Sequence, residues 1–373
     1  MAGDCSKIHF EVGNEIMNIG ILGMPLTGKT TIFNLLTSQH RQTDSFSSAK
    51  TKNIGVVKVA DERIDYLSSL YQPQKTTYAT IEIIDIPGIS ADIPEKLKQE
   101  IFHQVQNSDA LLMVIRVFEE EAIPGDTDPV RQLESLVYEI ILRDLELVEN
   151  RIGRLDSSKR KLTLSEENEK RILERCGQHL GDGHLLTSLT LSEDELKVLS
   201  GYGLFSLKPI VVAVNLDEDQ LRENKFPNQE KFNQFIEEHH MASIPICGKV
   251  EMEINELPEE ERQLFLEDLG FKESGISRLA QVLYQHLGLI SFFTVGKDEV
   301  RAWTIHRGTT AVKAAGKVHS DMERGFIRAE IVNFNDFKKW GSLSKIKEKG
   351  LLKIEGKDYL IEDGDIVNFR FNV

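Results

Sequence analysis

Eight residues, GMPLTGKT from Gly23 to Thr30, leave this chain few folds to choose from. They match G-x-x-x-x-G-K-[ST], in which glycines let the backbone curl until successive N–H groups point at phosphate oxygens. In that pattern Lys29 reaches the β- and γ-phosphates, and the Thr30 hydroxyl can ligate Mg²⁺. The apolar run MNIGILG leads into the loop, and KTTIFNLLTS follows it with Ile32, Leu35 and Leu36 at helical spacing. A strand before the loop and a helix after it offer an anion the positive end of that helix. Gly23, Met24, Pro25, Leu26, Thr27, Gly28, Lys29, Thr30 and Thr31 therefore read as a phosphate cradle.

Three further runs, ATIEIIDIPG (79–88), DALLMVIRVF (109–118) and KPIVVAVN (208–215), are near-continuously apolar. Strands of that kind belong to parallel sheets covered on both faces, which bind ligands beyond the carboxyl ends of the strands. Those ends carry Gly23–Thr30, Asp85–Gly88, Phe118 and Asn215–Glu218. Asp85 is placed to assist a metal ion together with Thr30, and the Gly88 N–H to sense a γ-phosphate. Read alone, Asp85 is equally a strand-ending acid before a Pro-Gly turn. The next residue, Ile89, cannot orient a water molecule.

The run VVAVNLDED ends in Asn215, Leu216, Asp217 and Glu218. Guanine readers carry Asn-Lys-x-Asp at such a place. Here Leu216 replaces the lysine and Glu218 the aspartate, so the stretch is a damaged guanine reader, a reader of another base, or a strand followed by an acidic turn. Guanine presents two adjacent donors to one carboxylate. Adenine presents an acceptor beside a donor, and a carboxylate placed for guanine would lose a bond there.

The chain has 373 residues, enough for two or three cores, with 40% hydrophobic and 28% charged residues and a net charge of −15. The acidic balance disfavours nonspecific attachment to nucleic acid. Cys5, Cys176 and Cys247 are too dispersed for a disulfide framework, the histidines share no metal-ligand spacing with them, and no apolar run reaches the ~20 residues needed to cross a bilayer. These features read as a cytoplasmic protein without membrane attachment, with a monomer expected. Between about 125 and 205, Leu133, Leu136, Val137, Ile140, Ile141, Leu145, Val148, Ile152 and Leu155 recur at three- and four-residue steps, and a charged second helical stretch begins within 157–176. After about 288, EVRAWTIH, GFIRAEIV, DYLIE and DIVNFRFNV read as strands.

Together these residues resemble the Obg-like ATPase family, also called YchF, of the translation-factor class of P-loop NTPases. The likeness runs from about 17 to 373. It is most specific in NIGILGMPLTGKTTIFNLLT, LKPIVVAVNLDED, EEERQLFLEDLG and FFTVGKDEVRAWTIHRGTTAVKAAGKVHSDMERGFIRAEIV. The resemblance implies an α/β fold: a doubly wound, mostly parallel P-loop domain (16–124 and 206–288), an inserted helical hairpin arm (125–205) and a C-terminal ubiquitin-like β-grasp, or TGS, domain (289–373). Residues 1–15 form an N-terminal extension. It also implies slow, Mg²⁺-dependent hydrolysis of ATP in preference to GTP, and association with the ribosome or its RNA through the arm and the TGS domain. The family shares the Asn-x-x-Glu pattern, which makes Asn215, Leu216 and Glu218 an altered base reader, with Phe118 packed on the base and Cys247–Gly248 beside it.

Several positions depart from the family. Its switch threonine falls at Ala49, with Ser48 and Thr51 out of register. The second switch (89–102) is short and nearly lacks glycine. The water-positioning residue of some members aligns with Gln104, next to His103, and Gly248 replaces an alanine. Two other readings remain open: a nucleotide-binding interaction protein with little hydrolysis, and a GTP-specific enzyme of the same fold. Between 293 and 328, seven basic residues face four acidic ones, which permits an RNA-facing patch with Trp303 as a stacking group or a plain domain surface with Trp303 in its core.

Overall fold

The computed structural model describes residues 17–38, 53–90, 92–120 and 125–372. The extension 1–15 and the switch residues Ser48, Ala49 and Thr51 lie outside them. Two compact units emerge: Met17–Val56 with Glu82–Val282, and Val57–Ile81 with the chain from Leu283 onward. The strands are β1 (Asn18–Leu22), β2 (Asn53–Lys58), β3 (Lys75–Thr77), β4 (Thr80–Asp85), β5 (Ala110–Arg116), β6 (Ile210–Asn215), β7 (Ala242–Ile246), β8 (Leu289–Val295), β9 (Glu299–His306), β10 (Phe326–Asn333), β11 (Lys353–Glu355) and β12 (Asp365–Phe371).

In the first unit the sheet order is β2-β4-β1-β5-β6-β7. β1 pairs in parallel with both β4 and β5, and β5, β6 and β7 continue in parallel. β5 and β6 are buried along their whole length, which is why their sequences lack alternation. β7 contains Pro245 and stands at an edge, where a missing N–H is tolerated.

The arm also belongs to this unit. Its first helix, Pro129–Asp156, starts at the Asp128 cap with proline in its first turn. Leu133, Leu136, Val137, Ile140, Ile141, Val148 and Leu155 are buried in the unit's core with Ile172, Leu173, Cys176 and Leu180 of the second helix, Leu164–Gly181. That second helix begins at Leu164 because Thr163 and Glu166 form a capping box. Buried Asp144 anchors the first helix to the return of the chain. It accepts the N–H of Phe205 at 3.0 Å and of Ser206 at 2.7 Å, and the Ser206 hydroxyl at 2.5 Å.

The second unit has sheet order β11-β10-β12-β8-β9-β3. β8 and β9 form an antiparallel pair, β12 runs parallel to β8, and β10 runs antiparallel to β12 and β11. The helix Ala311–Val318 packs into its core through Ala311, Ala314 and Ala315, small enough to approach the sheet. This is the β-grasp arrangement read from the C-terminal sequence, with two differences. DYLIE (358–362) is no strand, and only a bridge joins Leu360 to Thr310.

The second difference concerns residues 57–81, which the sequence assigned to the nucleotide domain. They supply β3, parallel to β9, and the helix Glu62–Tyr71. Tyr66 meets Phe334 at 5.7 Å and Tyr71 stacks on Phe337 at 6.1 Å between ring centroids. Arg63 bonds both Asp61 and Asp363 and lies over the Phe293 ring. Tyr66 and Tyr71 of this segment thus find their partners on the helix Phe334–Trp340 of the C-terminal unit.

Candidate functional site

The loop after β1 is shaped by what surrounds each glycine. Gly28 has φ +92°, a left-handed backbone, and an added Cβ would lie 2.4 Å from Asn215 Nδ2. A Cβ at Gly88 would come within 2.6 Å of the Pro25 nitrogen and 3.0 Å of Lys29 Nζ. Lys29 is the first residue of the helix Lys29–Thr37, and its buried ammonium crosses the loop to donate to the Met24 carbonyl at 2.6 Å. The Thr27 hydroxyl donates to the same carbonyl at 3.0 Å. Burial draws the Lys29 pKa down to about 8, opposed by the charge of Asp85. Met24 is half-buried, while Pro25 and Leu26 are exposed.

Asp85, the last residue of β4, is buried, and its Oδ2 accepts the Thr30 hydroxyl at 3.2 Å. These are two hard oxygen donors from separate elements, the kind Mg²⁺ prefers. Thr31 lies beside Gly248, its Cγ2 3.5 Å from where a Cβ at 248 would stand. The Ile89 N–H donates to the Gly23 carbonyl at 3.0 Å, and the Ile89 side chain is 2% exposed within the core.

The second half of the site forms at the ends of β5, β6 and β7. Asn215 is buried, and its amide works as a brace. Nδ2 donates to the Thr27 carbonyl at 3.0 Å, and Oδ1 accepts the Gly248 N–H at 3.1 Å. One side chain therefore ties the phosphate-type loop to the loop after β7. Glu218 opens the helix Glu218–Glu223, about half exposed, with its Oε1 2.9 Å from Arg222 Nη2. Half-buried Phe118 has the Arg116 guanidinium over its ring at 5.7 Å. Cys247 is buried, and burial pushes its thiol pKa up, so it is a packed residue with no thiolate character.

Two expected site residues are elsewhere. Leu216 is 1% exposed and packs in the core, its N–H bonded to the Ile246 carbonyl at 2.8 Å, so it offers no face to a purine. Gln104 lies near the end of the helix Glu95–Val105. Just beyond it, Ser108 bonds back to Val105, and the Asp109 N–H donates to the carbonyl of Asn18, the first residue of β1. Gln104 thus sits at the end of the sheet opposite the loop that leaves Leu22, and His103 beside it is exposed. Trp303 stacks with Phe292 and has Arg301 over its ring at 3.9 Å, with its indole N–H on Thr294 Oγ1. Lys313, Arg324 and Arg328 pair with Glu323, Asp321 and Glu330. The basic C-terminal stretch is therefore partly neutralised.

Sequence reading missed Gln220. Asp217-Glu218-Asp219-Gln220 has the D-x-x-Q form of a capping box, and the structure forms that box.

Residues 18–151 match a family model described as "50S ribosome-binding GTPase", and residues 289–372 match the C-terminal model of YchF GTPases, described as "Protein of unknown function". Relatives named "Ribosome-binding ATPase YchF" from Mycoplasma genitalium and Bacillus subtilis are 38% and 36% identical over 96% of this chain and 100% of theirs. The chain belongs to the YchF family. A solved YchF GTPase from Schizosaccharomyces pombe superposes with a TM-score of 0.83 at 29% identity, covering 96% of this chain and 99% of that one. The YchF fold, a P-loop nucleotide domain with a C-terminal sheet domain, is thus the fold of this chain. Among the described residues no helix is long and apolar enough to cross a membrane, and no group of three or more His, Cys, Asp or Glu side chains is arranged to hold a metal ion.

Proposed function

We propose that this YchF-family chain is a slow, Mg²⁺-dependent nucleoside triphosphatase that prefers ATP to GTP and acts on the ribosome. The observation that carries the reading is the Asn215 brace: a side chain on the segment that continues to Glu218 holds both the lysine-bearing phosphate loop, at the Thr27 carbonyl, and the Gly248 N–H after β7. In this reading the loop N–H groups and Lys29 hold the phosphates. Thr30 and Asp85 would hold Mg²⁺, which when bound would supply positive charge against the phosphate oxygens. Glu218 meets the purine edge. Its pair with Arg222 is exposed and weak enough to exchange for the adenine amino group. Ribosome association follows from the relatives named as ribosome-binding ATPases, and residues 125–205 and 289–373 are the surfaces assigned to it.

A second reading has its own support. Ile89 is enclosed and Gln104 stands at the far end of the sheet, so neither positions water, which favours binding with little turnover by the isolated chain. One assay separates the two. Phosphate release is measured with ATP and with GTP, with and without ribosomal subunits, against a Lys29→Ala control. Release from ATP above the control, greater than from GTP, is the expected result. No release in any arm leaves the binding-only reading, and faster release from GTP removes the adenine preference. Glu218→Asp is expected to raise GTP affinity relative to ATP, read by competition titration.

A further inference from the structure

Gln220 takes no part in the scheme above, yet all its polar groups are committed. Its backbone N–H donates to Asp217 Oδ1 at 2.8 Å, and its Oε1 accepts the Asp217 N–H at 3.2 Å. Its Nε2 reaches out of the helix to the Val117 carbonyl at 3.1 Å. The Val117 N–H in turn donates to the Asn215 carbonyl at 3.1 Å. Both backbone groups of Val117 are therefore held by the segment 215–220, and Phe118 is the next residue. Glu218 lies between Asp217 and Gln220, the two members of the clamp.

We propose that Gln220 is a positioning residue for base selection, its side-chain amide locking the loop that carries Glu218 to the main chain beside Phe118. The inference rests on reading Asn215–Glu218 as the base site. Adenine and guanine differ by donors and acceptors at neighbouring ring positions, so selection needs the carboxylate held to within a fraction of an ångström of its place. A helix cap alone would not need glutamine, because glutamate closes the same box. Glutamate has no hydrogen to give the Val117 carbonyl, and that separates the two roles.

The test uses the full-length protein and three probes: ATP, GTP and inorganic tripolyphosphate. Wild type, Gln220→Glu and Gln220→Leu are titrated, with thermal unfolding followed alongside. Both variants are expected to bind ATP about tenfold more weakly, because the part-buried hydrogen bond that holds the Glu218 segment in place is lost. Their ATP-to-GTP ratio should move toward one, and tripolyphosphate affinity should stay within about twofold of wild type. Gln220→Glu should melt slightly below wild type but above Gln220→Leu, since its cap survives while the Val117 carbonyl loses its donor. Wild-type selectivity in Gln220→Glu would reduce the residue to a cap and overturn the proposal. A parallel loss of tripolyphosphate binding in both variants would mean general damage and would also overturn it. A wild-type chain with no purine preference removes the base reading and the clamp together, and is recognised before any variant is made.

Discussion

Lys29 is a cation kept out of water by its own loop, and that has a measurable cost. Its pKa lies near 8 rather than 10.5 because burial outweighs the attraction of Asp85. Above about pH 8 the free protein therefore holds a neutral amine, and on binding a polyphosphate the Lys29 amine must take up a proton to restore its charge. ATP affinity is expected to fall as pH rises through about 8, with proton uptake visible as a dependence of binding heat on the buffer's ionisation heat. Affinity constant from about pH 7 to 9.5 would deny Lys29 that role. The two glycines facing the loop should behave oppositely. A methyl group at 88 meets backbone at 2.6 Å, so Gly88→Ala should cost on the order of 1–3 kcal/mol. At 248 nothing lies nearer than 3.5 Å, so Gly248→Ala should stay within about 0.5 kcal/mol. Urea unfolding midpoints read both.

At the level of elements, the arm is held by apolar packing and by one buried carboxylate. Ile140→Ala removes a fully buried side chain and should cost about 2–5 kcal/mol by urea unfolding. Burial raises Asp144 to about 6, against the hydrogen bonds from Ser206 and Phe205 and the charge of Lys208, which pull it down. Between the ordinary 3.8 and that value the folded chain keeps a proton that the unfolded chain has lost, so the Asp144 contribution to stability declines as pH rises from about 4 to about 6. Comparing wild type with Asp144→Ala across that range isolates it, and an identical pH slope in the two would contradict the assignment. The arm helix, β5, β6, β9, β10 and β12 were legible because their periodicity or unbroken apolarity reflects their own burial. β3, β7 and β11 were not: they are short or interrupted by proline, and they become strands only against a neighbour. The phosphate loop was legible because its chemistry is local in sequence. Asn215 was found, but its bracing work depends on carbonyl and N–H partners 188 and 33 residues away, which no local pattern encodes.

For the whole molecule, the decisive fact is that, among the described residues, two separate stretches of the chain build the second unit. Residues 57–81 lie between the strand that follows the first switch and the strand that ends in Asp85, yet their β3 and their helix are parts of the C-terminal sheet unit. A fragment starting at 289 would lack Arg63, Tyr66 and Tyr71, and would bare Phe293, Phe334 and Phe337. It is expected to unfold more easily than the same sheet in the full chain, and to bind a hydrophobic dye.

One cut of the polypeptide at Gly288 should therefore not set the tail free. The severed piece would still be zipped to an edge strand that belongs covalently to the larger fragment. The two products should leave a sizing column as a single peak and part only in denaturant.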